Sequence, residues 1–332
     1  MRRAAWAAAG VVALGLVAAA LAAGWFFYAA YRDRSSPVAE TRIVVERGAT
    51  FAAIARRLRE GGVIDNVLAF RLLARMRGQE ADVRAGEYRF TPHETPDEVL
   101  HALIGGGAQV AVWVTIPEGF TARQIAARLQ AEGIGSAPEF SHAFAHDSIV
   151  VGATRTKNLE GFLFPSTYLI PLGASPSQVE NQLTSEFFRQ LPPDALARAR
   201  RLRVTVPQAV TVASLIEREA KIERDRPLIA GVIYNRLRLG MPLEVDATIE
   251  YALPAHKSAL SLSDLKVDSP FNTYLHAGLP PTPIANPGRP SLEASLQPSK
   301  TNFLYYVYCG KGGHAFANTL QAHQANVARC LQ

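Results

Sequence analysis

From Ala4 to Tyr31 the chain carries no charged residue. A run of this length restricts the fold more than any other feature. About twenty apolar residues in a helix rising 1.5 Å per residue span the roughly 30 Å hydrocarbon core of a bilayer. Arg2 and Arg3 precede the run, and Trp25, Phe26, Phe27, Tyr28 and Tyr31 crowd its far end, as an interfacial aromatic belt would. Residues 1–31 are therefore predicted to be a cytoplasmic tip and a transmembrane anchor. A cleaved signal peptide is the competing reading, because Ala18 to Ala23 offer A-x-A sites. The continuation of the run through the aromatics favours the anchor. Arg32 and Arg34 on the far flank nearly balance the positive-inside count. A cytoplasmic N-terminus is the simpler topology, and it places the chain from about Arg32 onward outside the membrane.

With 332 residues there is room for two domains beyond the anchor. The net charge of +6 is spread out, mostly as arginine, and no Lys/Arg block interleaved with aromatics indicates a nucleic-acid surface. The balance suits an anionic polymer or a lipid surface, and equally a merely arginine-rich composition. Cys309 and Cys330 are the two cysteines, and no Cys/His cluster has metal-ligand spacing. Neither a metal nor a cofactor is predicted. Outside the cytoplasm the two thiols either pair as a disulfide or stay buried and free.

After a linker at 32–40, residues 41–107 read as a small α/β subdomain. A strand at Arg42–Val45 leads through Gly48 to a helix capped by Thr50 and stopped by Gly61-Gly62. A helix near Asn66 to Arg77, the strand Gly86–Phe90 and a helix from Thr95 to Ile104 complete it. The opening unit recurs 71 positions later: Gly48/Gly119, Thr50/Thr121, Ile54/Ile125, Arg57/Arg128, Leu58/Leu129 and Gly62/Gly133 coincide. Residues 108–332 form the larger domain. Within it Lys266 to Pro290 holds six prolines, which excludes a long helix or an interior strand. A loop that long in a compact domain is functional or disordered, and its aromatics and amides argue for order.

Thr205-Val206-Pro207 opens the helix of greatest interest. Val212, Leu215 and Ile216 recur at i, i+3, i+4, and the next position of the stripe is Glu219. A carboxyl on a core-facing stripe is uncommon unless paired. Burial favours its protonated form, which is what a general acid needs. The plainer reading pairs Glu219 with Arg224 or Arg226 near the helix end, predicted by Arg226. Glu223 follows at i+4 if the helix continues, and Asp225 is placed to cap the next helix, which ends at Gly240. Glu217 is out of phase with Glu219 and reads as structural.

The stretch Ala213–Ala220, with Glu223-Arg224-Asp225 and Asn235-Arg236-Leu237, resembles the signature of the YceG-like family of endolytic murein transglycosylases. So do Glu160-Gly161-Phe162-Leu163-Phe164-Pro165-Ser166-Thr167-Tyr168, with Ser166 where the family has aspartate, and Asp246-Ala247-Thr248, with Ala247 where it has proline. Asp268–Tyr274, Gly278–Gly288 and Phe303–Phe316 extend the likeness in the family's order. The resemblance implies an α+β fold: an N-terminal transmembrane helix, a LysM-like subdomain, and a larger mixed α+β catalytic domain. It implies cleavage of the β-1,4 bond between N-acetylmuramic acid and N-acetylglucosamine within glycan strands, leaving 1,6-anhydro ends. Glu219 falls on the family's catalytic glutamate and would serve as acid, then base. Candidate substrate-binding residues are Glu160, Glu223, Asn235, Asp246, Asn272, Tyr274, Asn286 and His314, with Tyr306 and Glu223 considered as an accessory group and a second carboxylate. Each has a structural alternative: Glu160 as a turn cap, the amides as supports of the loop backbone, and His323 as a structural histidine. Implied partners are peptidoglycan strands, the cell inner membrane and peptidoglycan polymerases, with the catalytic domain in the periplasm. A non-catalytic wall-binding scaffold is the alternative.

Overall fold

The structure, a computed structural model, describes residues 2–32, 40–46, 48–105, 110–253, 257, 260–310 and 313–330. Most of the 32–40 linker, the glycines Gly106 and Gly107 and the centre of the turn at 310–313 lie outside these residues. The fold is mixed α and β. Among the described residues the strands form four two-stranded sheets. The chain divides into two compact units, residues 1–112 with 169–174, and residues 113–168 with 175–332.

In the first unit, helix α1 (Arg2–Tyr31) is followed by β1 (Thr41–Val45), α2 (Phe51–Glu60), α3 (Val67–Met76), β2 (Gly86–Phe90) and α4 (Pro96–Gly105). Its stretch Val12–Tyr31 is long and apolar enough to cross a membrane, with a mean hydropathy of 1.9. The aromatic end is not a uniform belt. Trp25, Phe27, Tyr28 and Tyr31 are exposed, but Phe26 and Ala30 are buried against the core of this unit. A helix face repeats every three to four residues, so positions 26 and 30 share one side and only that side docks. Strands β1 and β2 pair antiparallel with Ile43 opposite Tyr88. That register puts Ile43, Val45, Tyr88 and Phe90 on the same covered face. Thr50 accepts from the Ala53 amide at 3.3 Å, so the expected cap forms, and Asn66 caps the next helix by accepting from the Ala69 amide at 3.0 Å.

Strands β3 (Ala111–Thr115) and β6 (Thr167–Pro171) pair with one another. Between them come α5 (Ala122–Ala131), α6 (Ala137–His146) and the short hairpin β4 (Val150–Val151) and β5 (Thr154–Arg155). The repeat is expressed in the backbone. Gly48 and Gly119 have φ of 75° and 79°, and Gly62 and Gly133 have 70° and 78°. These left-handed positions favour glycine at both turns and both helix stops.

The second unit continues through α7 (Pro176–Gln190), α8 (Ala195–Arg201), α9 (Val206–Glu219), α10 (Arg226–Leu239), α11 (Asp246–Ala252), α12 (Arg289–Leu296), the hairpin β7 (Tyr305–Tyr308) and β8 (His314–Ala317), and α13 (Leu320–Cys330). Helix α9 is the axis of this unit. Val206, Ala209, Val210 and Ala213 pack with Phe162, Phe187 and Leu292 on one side. Val212, Leu215 and Ile216 pack with Ile229, Ile233, Val245 and Ile284 on the other. A helix covered on both sides belongs to the interior, so the single apolar stripe understates its burial.

Two sequence expectations are corrected here. Helix α9 ends at Glu219, not near Arg226: Ala220 is already extended, with φ −67° and ψ 128°. Asp225 does not cap α10 with its side chain. Its carboxylate instead accepts from the His314 amide at 2.8 Å and the His314 ring at 2.9 Å. Helix α6, the β4–β5 hairpin, α11 and α12 were not anticipated. Helix α12 begins at the end of the proline-rich stretch, where Pro290 suits a first helical turn. Cys309 and Cys330 form a disulfide joining the end of β7 to the end of α13.

Candidate active site

The last residue of α9 opens into a cleft of ≈ 550 Å³ lined by Glu219, Asp246, Tyr274, Tyr306, His314 and Arg236 among others. Glu219 is partly exposed there, neither sealed in the core nor free in solvent. The stripe of Val212, Leu215 and Ile216 is fully buried, so the carboxyl sits where the apolar face of the helix meets the cleft. Burial is the main reason its pKa rises to about 7, and the charge of Asp246 adds to the rise. A hydrogen bond from Tyr306 and the charge of Lys221 offset part of it. Glu219 is therefore still partly protonated at neutrality while facing open space, which fits a group that donates a proton to substrate.

Each wall of the cleft is held by contacts distant in sequence. Tyr274 comes from the proline-rich loop, and its hydroxyl donates to Asp246 at 2.5 Å. Asp246 is the first residue of α11. The loop is ordered by its own side chains. Asn272 is fully buried, donates to the carbonyls of Leu265 (3.0 Å) and Val267 (2.9 Å), and accepts from the Tyr274 amide (2.9 Å). Thr273 accepts from the Val245 amide at 3.0 Å, which fixes the loop to the start of α11. Ser214 accepts from the Ile284 amide at 3.1 Å and so ties the loop to α9.

On the opposite wall, Arg236 donates to the carbonyls of Leu304, Pro242 and Leu243 and to the Glu244 carboxylate (2.8 Å), and it lies 5.1 Å from the centre of the Tyr305 ring. One guanidinium thus joins α10, the turn before α11 and the start of β7. Glu244 adopts φ 53°, an uncommon conformation for a residue with a side chain. His314 is locked by Asp225, and its ring meets Tyr306 edge-on at 5.7 Å.

The predicted site residues therefore separate. Glu219, Asp246, Tyr274 and His314 line one cleft, together with Tyr306. Asn272 and Asn286 are fully buried; Asn272 serves the loop backbone, whereas Asn286 donates to the Phe120 carbonyl (2.9 Å) and to Glu160 (3.0 Å) and accepts from the Leu163 amide (2.9 Å). Asn235 donates to the carbonyls of Thr301 (2.8 Å) and Phe303 (2.9 Å), away from the cleft lining. Glu223 is not one turn above Glu219, because the helix stops first; its side chain is exposed and lies 3.8 Å from Arg226. Glu160 is buried at 4% exposure and accepts from the Ala122 amide (2.9 Å), Asn286 (3.0 Å) and Tyr251 (3.1 Å). It ties the start of α5 to the loop and to α11, which is the capping role extended to three elements. Glu217, read as structural, accepts from Arg226 at 3.3 Å and the Gly288 amide at 3.0 Å. Sequence reasoning missed Arg236 and the role of Asp225. Asp225 meets His314 across 89 positions, and Arg236 joins the nearby turn at Pro242 to Glu244 to the distant Leu304, so neither arrangement follows a helical or strand period.

The motif order and this cleft coincide with a match to the YceG-like family over residues 43–329. The chain belongs to the YceG-like family. A Bacillus subtilis relative named endolytic murein transglycosylase is 33% identical over 302 residues, covering 85% of this chain and 82% of that protein. A Streptococcus pneumoniae relative of the same name is 29% identical over 344 residues, covering 92% of this chain and 62% of that longer protein. Among solved structures, a YceG-like protein from Listeria monocytogenes superposes with a TM-score of 0.57 at 29% identity, over 86% of this chain and 98% of that one. The YceG-like match thus includes the whole described cleft.

Proposed function

We propose that this YceG-like chain is a membrane-anchored endolytic murein transglycosylase that cleaves β-1,4 bonds between N-acetylmuramic acid and N-acetylglucosamine and leaves 1,6-anhydro ends, with the terminal release of growing strands as its role. The observation that carries the reading is the place of Glu219 at the rim of an open cleft, where burial raises its pKa to about 7. As the glycosidic bond breaks, Glu219 gives its proton to the departing oxygen. The muramoyl 6-hydroxyl then attacks the anomeric carbon, and the Glu219 carboxylate takes up the hydroxyl proton. No water enters the balance, so neither of the carboxyl-pair spacings of hydrolytic glycosidases is required. The relatives' shared name supports the substrate class.

The apolar stretch Val12–Tyr31 suits a single-pass anchor. In this reading the remainder lies in the periplasm, against the wall. The first unit is read as LysM-like and glycan-facing, in keeping with the family resemblance, and peptidoglycan polymerases are the partners that a strand-releasing enzyme needs.

Digestion of purified murein by the full chain in detergent, followed by mass spectrometry, tests the proposal. Anhydro-muramoyl ends are expected from the wild type and none from Glu219→Gln. Reducing ends carrying solvent oxygen would instead establish hydrolysis. Retention of the cellular effect by Glu219→Gln would establish a scaffold.

A further inference from the structure

The cleft holds a second carboxylate that the acid–base scheme above does not use. Asp246 opens α11, lines the same cleft as Glu219, and is exposed to solvent where Glu219 is partly covered. The two differ in partners as well. Asp246 is an acceptor, bound at 2.5 Å by the hydroxyl of Tyr274. Glu219 is met by the Tyr306 hydroxyl and sits over the buried end of α9. Among the described residues neither carboxyl forms a direct ion pair, although Lys221 lines the cleft and its charge acts on Glu219. The cleft arginine Arg236 is engaged by Glu244 and three carbonyls, and Arg218 is paired with Glu250 at 3.0 Å.

The placement of Asp246 is over-determined. Thr273, the neighbour of Tyr274, accepts from the Val245 amide at 3.0 Å and lies 3.0 Å from the Thr248 hydroxyl, so the loop and the first turn of α11 are fastened on both sides of Asp246. Tyr274 in turn is oriented by Asn272, whose carbonyl oxygen accepts from the Tyr274 amide. A surface carboxylate with no task would not need such support. A charge that must face a substrate atom does, because preorganised electrostatics acts only if its position is already set.

We propose that Asp246, held by Tyr274, is a second catalytic carboxylate that faces the sugar ring and stabilises the positive charge developing at the anomeric carbon while Glu219 handles the proton. This rests on the transglycosylase reading and deepens it. The bond between the anomeric carbon and the leaving oxygen breaks, and its electron pair stays with that oxygen, which takes the Glu219 proton. The resulting oxocarbenium-like centre lies against the Asp246 carboxylate. A lone pair of the 6-hydroxyl closes the new bond to the anomeric carbon, and the hydroxyl proton passes to Glu219. Asp246 forms no bond and transfers no proton. Two carboxyls in contrasting surroundings, one keeping its proton and one left an acceptor, divide the labour as paired acids in glycoside-cleaving sites do.

The test compares full-length Asp246→Asn, Asp246→Glu and Tyr274→Phe in detergent on uncrosslinked murein strands, scoring kcat, KM and the pH profile. Asn keeps the shape of Asp246 and removes its charge. Its kcat is expected to fall about a hundredfold or more, with KM little changed. The groups that act on Glu219 are the charges of Asp246 and Glu250 from α11 and of Lys221 beyond α9, and the neutral hydroxyl of Tyr306 from β7. Losing the Asp246 charge should therefore move the alkaline limb of the profile to lower pH, an effect that a merely structural residue would not produce. Asp246→Glu should recover part of the rate. Tyr274→Phe should lower kcat less than Asp246→Asn. A kcat for Asp246→Asn within tenfold of wild type, or an unmoved alkaline limb at equal circular dichroism and melting temperature, overturns the proposal. Activity surviving in Glu219→Gln would overturn the underlying transglycosylase reading instead, so the two failures are distinguishable.

Discussion

Glu160 provides the sharpest test of the framework behind the cleft. It is buried at 4% exposure and touches three elements, through the Ala122 amide, Asn286 and Tyr251. Burial lifts its pKa from 4.5 to about 7, against the three hydrogen bonds and the charge of Arg123, which lower it. A raised carboxyl pKa costs stability wherever the unfolded chain is ionised and the folded one resists ionisation. The cost is absent below about pH 4.5, grows as pH rises, and is complete above about pH 7. At 1.36 kcal/mol per pH unit this displacement corresponds to ~3 kcal/mol. Glu160→Gln never ionises, so it escapes that cost. It also brings one amide donor against existing donors, a mismatch of about 1 kcal/mol that does not depend on pH. Urea denaturation followed by circular dichroism at pH 5 and pH 8 should show the variant about equal to wild type at pH 5 and stronger by about 2 kcal/mol at pH 8, a swing of ~2.5 kcal/mol. Glu219 and Glu180, also raised to about 7, are common to both proteins and cancel in the comparison. A difference of the same size at both pH values would refute the reasoning. A deficit that grows with pH would show that the three donors, not burial, govern Glu160.

Activity of the wild type should fall as pH rises through about 7, because the proton on Glu219 is then lost; a rate that climbs steadily into base would count against its acid role. Gly161 has φ +88°, and an added Cβ would lie 2.4 Å from Pro283, so Gly161→Ala should cost about 2 to 4 kcal/mol in a denaturation experiment. Reducing the Cys309–Cys330 bond, whose ends are 21 residues apart, should destabilise the β7–α13 corner by ~3 kcal/mol on the loop-entropy estimate. Because α13 has no buried residue of its own yet carries His323 and Val327 into the cleft lining, loss of strand cleavage should accompany that reduction, measured by anhydro-end release. Arg236→Ala leaves three carbonyls and Glu244 without their donor, and should lower stability by about 3 kcal/mol or more.

What the sequence by itself determined were relations among near neighbours and the identity of the family. The caps at Thr50, Thr121 and Thr205 join residues three apart, and all of them form. The helical period singled out Glu219, because its place beside Val212, Leu215 and Ile216 follows from one turn of backbone. The doubled strand–turn–helix unit was readable because glycine at a left-handed turn is a local requirement. The helix end was misread, since a continuing amphipathic pattern says nothing of where the chain must bend to pack. Only the tertiary structure decided which candidates meet. Tyr274 reaches Asp246 across 28 positions, Asp225 reaches His314 across 89, and Glu160 reaches Asn286 across 126. No periodicity or spacing rule extends over such distances. A carboxylate or amide looks the same in a sequence whether it faces a sugar or a loop carbonyl, and its role is settled by which polar groups the buried core leaves within hydrogen-bonding reach.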